Sequence, residues 1–75
     1  MKTAAELKRG ESGVILQFQD QRWAAQLLGL GCQPGERISM VRSAPFGGPF
    51  YMRVNGSQFA LRREEAINLV LDEHE

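Results

Sequence analysis

Hydrophobic residues alternate with polar ones in several short stretches of this chain, and in one stretch they recur four apart. Period two marks a half-buried strand and period near four an amphipathic helix, so the pattern predicts five strands and a single helix. Val14, Leu16 and Phe18 alternate with Ile15 and Gln17 behind a break bracketed by Gly10 and Gly13, which reads as the first strand. From Asp20 the spacing changes. Trp23 with Leu27 and Ala24 with Leu28 fall on one helical face, leaving Arg22 and Gln26 for water, with Asp20 as the expected N-cap. Gly29, Leu30 and Gly31 end this helix, and Pro34 with Gly35 turn the chain back to extended structure.

Ile38 and Met40 belong to a second strand, Phe50, Met52 and Val54 to a third, Phe59 and Leu61 to a fourth. Asn55 and Gly56 are the signal of a two-residue hairpin joining the third and fourth, because both tolerate positive φ. Arg63, Glu64, Glu65 and Ala66 suit one helical turn, after which Ile67, Leu69 and Leu71 alternate with Asn68 and Val70 as a fifth strand. At the N-terminus, Thr3 and Glu6 have the spacing of a capping box around a short turn. Five short strands and one helix favour a mostly β fold, a small SH3-like barrel whose closure would remove exposed edges.

A chain of 75 residues is expected to form one domain, spanning 1–75, with no room for a second. Nine Lys and Arg balance nine Asp and Glu, which speaks against binding a polyanion through bulk charge. The single cysteine, Cys32, cannot form an internal disulfide, residues 1–10 carry no apolar leader, and no run of about 18 apolar residues exists. A cytoplasmic protein is the expectation.

Catalytic chemistry finds little to build on. The one histidine, His74, stands next to the end of the chain, so no triad or acid–base pair assembles around it, and the chain is expected not to be an enzyme. Asp72, Glu73, His74 and Glu75 read as a solvated tail in preference to a weak metal site, and one Cys with one His cannot furnish a structural zinc site. No glycine-rich loop ends in Lys and Ser or Thr, so nucleotide binding is not indicated. Cys32 reads as a small filler beside a turn and Trp23 as core. No cofactor is expected.

Three segments in order, LLGLGCQPGERISMV, RSAPFGGPFYMRVNG and FALRREEA followed by a last apolar strand, resemble the FeoA family over residues 27–71. That resemblance implies an SH3-like barrel and a role beside FeoB, the ferrous iron transporter with a cytosolic G domain. A related domain closes iron-dependent repressors behind a DNA-binding segment; a free-standing chain of this length points instead to transport. The implied partner is the cytosolic domain of a FeoB-type transporter, with the membrane reached only through that partner.

The expected docking surface is the connection 44–49 with outward residues of the flanking strands. If Phe50, Met52 and Val54 face inward, Tyr51 and Arg53 face outward, and aromatic and guanidinium side chains are enriched at binding hot spots. Arg42, Phe46, Tyr51 and Arg53 are therefore the candidate partner-binding residues, with Phe46 either at the loop tip or folded back over the barrel mouth. The alternative is a small nucleic-acid-binding barrel using Arg42, Arg53, Arg62 and Arg63, which zero net charge disfavours.

Overall fold

The computed structural model describes residues 1–73; His74 and Glu75, and with them the question of a metal-binding tail, lie outside the described residues. Five strands, β1 (Ser12–Phe18), β2 (Arg37–Ser43), β3 (Phe50–Val54), β4 (Ser57–Leu61) and β5 (Leu69–Leu71), form one antiparallel sheet in the order β4-β3-β2-β1-β5. A 3₁₀ turn, Gln21–Trp23, runs into helix α1 (Ala24–Gly29), and α2 (Arg63–Ile67) separates β4 from β5. The sheet curls enough to make the molecule nearly equal in its three extents, 27 × 26 × 25 Å. It does not close. β4 and β5 are the two edges of the sheet and do not pair with each other, so the expected barrel is an open, strongly curled sheet.

What occupies the outer side of β5 is the N-terminal segment: Thr3 bridges Val70, and the Leu71 N–H donates to the Lys2 carbonyl at 2.8 Å. Thr3 opens a 3₁₀ turn, Ala4–Glu6, in which the Glu6 carboxylate accepts the Thr3 N–H at 2.8 Å. This cover changes the reading of the last strand. Leu69, Val70 and Leu71 are all buried, with no alternation, and Ile67, expected in the strand, instead ends α2 and is exposed.

The first strand also differs from its expected facing. Ile15 and Phe18 are buried while Leu16 is 53% exposed. The cause is a register shift between Ile15 and Gln17 against β5, where an extra residue in β1 resets which side chains point inward. In β3 alternation holds, whereas β2 has a register shift of its own between Met40 and Arg42. Phe50, Met52 and Val54 are buried, and with Ile15, Leu27, Ile38, Leu61 and Cys32 they form a continuous core.

The Asn55–Gly56 turn has φ of 50° and 81°, the two positive values of a type I′ hairpin, and brings Val54 opposite Ser57. Asp20 caps the helical stretch as its chemistry suggests, its carboxylate accepting the Arg22 N–H at 2.9 Å. Among the described residues no helix is long and apolar enough to cross a membrane.

Candidate docking surface

The connection between β2 and β3 is a tight turn on a hydrogen-bonded base. The Ala44 N–H donates to the Pro49 carbonyl at 2.9 Å and the Gly48 N–H to the Pro45 carbonyl at 3.2 Å. Between Pro45 and Gly48 stand Phe46 and Gly47 with φ of 59° and 76°, again the pair of positive values that defines a type I′ turn. Gly47 adopts this backbone freely; Phe46 does not. A bulky L-residue in the left-handed region crowds its Cβ against the backbone, at roughly 1–2 kcal/mol. Phe46 recovers none of that by burial, because its side chain is fully exposed. The ring stands at the loop tip and does not fold back over the sheet.

On the outer face, register places Arg42 opposite Tyr51, with the Arg42 guanidinium 4.2 Å from the centre of the Tyr51 ring. This cation–π pair is worth about 0.5–1 kcal/mol at an exposed site and holds both side chains as a unit. The next row carries Ser39, Arg53 and Gln58, with an Arg53 guanidinium nitrogen donating to the Gln58 side-chain oxygen at 3.1 Å. Arg42 and Arg53 are exposed and Tyr51 is half-buried. The structure thus joins Arg42 and Tyr51 directly, sets Arg53 in the neighbouring row, and presents Phe46 from the turn that links the same two strands. Arg62 and Arg63 belong to a different place, the end of β4 and the start of α2, where Arg63 lies 4.9 Å over the ring of buried Phe50.

Sequence reasoning missed the polar joints behind this surface. Glu65 is buried, and its carboxylate accepts the Arg62 N–H at 2.8 Å and the Gln26 side-chain amide, tying α2 to α1. Asn68 is buried as well; its amide donates to the Asp20 carbonyl at 3.0 Å and accepts the Asp20 N–H, which locks the start of the helical stretch to the approach of β5. The available signal for Glu65 was its place three residues after Arg62 at a helix start; Asn68 had none, since it reads as an outward strand position.

Two spots carry a shifted ionisable group. The side-chain and backbone hydrogen bonds from exposed Arg22 hold the Asp20 carboxyl below its usual value. Burial, with the charge of Glu65 as a lesser cause, pushes the Cys32 thiol up to about 11, so at neutral pH it is a protonated core residue. Among the described residues no three His, Cys, Asp or Glu side chains converge as metal ligands.

A model of the FeoA domain matches residues 2–72. The chain belongs to the FeoA family. It is similar to the zinc complex of FeoA from Stenotrophomonas maltophilia, a prokaryotic SH3 domain protein, with 35% identity over 99% of this chain and 93% of that one and a TM-score of 0.84. Iron(II) transport protein A from Clostridium thermocellum is 26% identical over 95% of this chain and 44% of that one, with a TM-score of 0.87. The FeoA protein of Chlorobium tepidum is 27% identical over 93% and 68% of the two chains, with a TM-score of 0.82. No curated protein matches the chain in sequence. Membership places the chain in a family associated with ferrous iron transport, with the SH3-like fold of its FeoA relatives.

Proposed function

We propose that this FeoA-family chain is a non-catalytic accessory protein of ferrous iron uptake, working in the cytoplasm by docking on the cytosolic domain of a FeoB-type transporter and altering its activity. Phe46 carries this reading: a fully exposed aromatic in a left-handed backbone position contributes nothing to the isolated fold and costs it something. Such a side chain gains its contacts from outside the molecule. Arg42, Tyr51 and Arg53 supply an aromatic and guanidinium patch on the strands that the Phe46 turn connects, the residue types that dominate protein interfaces. Nucleic acid is the weaker alternative, because the four arginines it requires divide between the outer face and the α2 end, where Glu64 and Glu65 stand beside them.

The test compares ferrous iron uptake, in cells lacking the native protein, for the double variant Tyr51→Ala with Arg53→Ala and for Phe50→Ala. The double variant should melt close to wild type, since outward strand residues contribute little to folding, yet lose uptake. Phe50→Ala empties a core site and should cost roughly 3–5 kcal/mol, so that uptake falls together with protein level. A double variant that melts normally and restores full uptake would remove this face from consideration.

A further inference from the structure

The open side of β4 is left unused by the surface just described. Edge strands ordinarily carry a charge, a proline, a bulge or a covering segment that discourages pairing with another chain. Ser57–Leu61 reads SQFAL, with neither charge nor proline, and pairs with β3 without a register shift. Among the described residues no strand lies beyond it. The other edge is treated differently, because Lys2 and Thr3 hydrogen-bond along β5.

The hairpin fixes which groups of β4 are free. A two-residue type I′ loop makes Val54 and Ser57 the hydrogen-bonded pair that closes it, and such pairs alternate with unbonded ones along the ladder. Ser57, Phe59 and Leu61 therefore bond to β3, while the N–H and C=O groups of Gln58 and Ala60 point away from the sheet. Neither backbone has another hydrogen-bond partner among the described residues, and both residues are exposed. Beside Ala60 and Leu61 runs an open groove of about 390 Å³, with Gln26 and Leu30 of the α1 region also lining it. An added strand sits about 4.8 Å from its neighbour, and the groove adjoins the edge at Ala60.

Charge identifies the occupant. Arg53 flanks the edge beside Gln58, and Arg62 and Arg63 follow its other end, all exposed. The outward positions next to the edge, Tyr51, Arg53, Gln58 and Ala60, include no acid, and the Glu65 carboxylate is already engaged by Arg62 and Gln26. Glu64 is the one exposed acid adjoining this end in sequence.

We propose that β4 accepts an extended acidic segment of a partner protein as a sixth strand, paired through the backbone of Gln58 and Ala60, with Arg53, Arg62 and Arg63 meeting its carboxylates. This rests on the docking reading and adds the mode of docking and the chemistry of the partner segment. A second copy of this chain is the competing occupant, but it would bring a further set of the same arginines to the join.

The test uses the full chain and the soluble cytosolic region of the FeoB-type transporter from the same cell. Amide exchange at Gln58 and Ala60 should slow about tenfold or more in the complex, as expected when free edge amides gain backbone bonds. Ala60→Pro removes an outward N–H, a substitution an edge strand tolerates, and should weaken binding about tenfold. Arg62→Glu keeps the edge intact and should weaken binding most at low salt. A complex in which both amides exchange at the free rate overturns strand addition and leaves docking standing. No complex at all overturns both. A dimer of the chain in sedimentation that Ala60→Pro dissolves assigns the edge to a second copy and overturns the acidic partner.

Discussion

At Phe46 the backbone takes a conformation in which phenylalanine is strained and its ring is left in water. Replacing it by Asn, which tolerates the left-handed region, should raise the stability of the isolated protein by about 1 kcal/mol, read as a higher denaturation midpoint. The loop tip was legible from Pro45, Gly47, Gly48 and Pro49, but the type I′ geometry was not, because Phe at the first central position of such a turn is unexpected. Cys32 shows the reverse case. Its neighbours Gly31, Pro34 and Gly35 mark it as a turn residue, yet it lies fully buried. Its thiol titrates near 11 in the folded chain against an ordinary value of 9.0, so the unfolded chain releases its proton first. Stability from this residue is intact below pH 9 and is lost as pH rises from about 9 to about 11. A series of urea midpoints should show that alkaline decline in wild type and a smaller one in Cys32→Ala.

Among the elements, the third and fourth strands and their hairpin were read correctly, since uninterrupted alternation and the Asn55–Gly56 pair are both local signals. The ends of the sheet were read less well. An alternation argument assumes an unbroken period of two, and the irregularity in β1 after Ile15 breaks it. β5 loses its alternation because a distant segment, Lys2 and Thr3, buries its outer side. The joint at Asn68 is of the same kind: residues 48 apart in sequence share two hydrogen bonds between its amide and the Asp20 backbone. Asn68→Ala removes that side chain and leaves the Asp20 N–H without its partner, while the Asp20 carbonyl keeps the Trp23 N–H. The expected loss is about 1–3 kcal/mol, measurable by chemical denaturation, with faster amide exchange across the Gln21–Trp23 turn.

For the molecule as a whole, the mostly β architecture follows from counting alternating segments, whereas closure of the sheet depends on which edges meet in space and cannot be read from period or turns. The candidate site was legible in its parts: Tyr51 and Arg53 follow from the inward facing of Phe50, Met52 and Val54. Its assembly required the register that sets Arg42 over Tyr51. The central claim is that the Phe46 turn and the outer face beside it form one docking surface, separable from folding. Calorimetric titration of the transporter's cytosolic region into wild type and Phe46→Asn, with a melting curve for each, tests it most directly. The account predicts a variant that is as stable as wild type or more so and binds at least about tenfold more weakly, the loss expected on truncating an aromatic anchor. Unchanged affinity in a variant that melts at or above the wild-type temperature would contradict it.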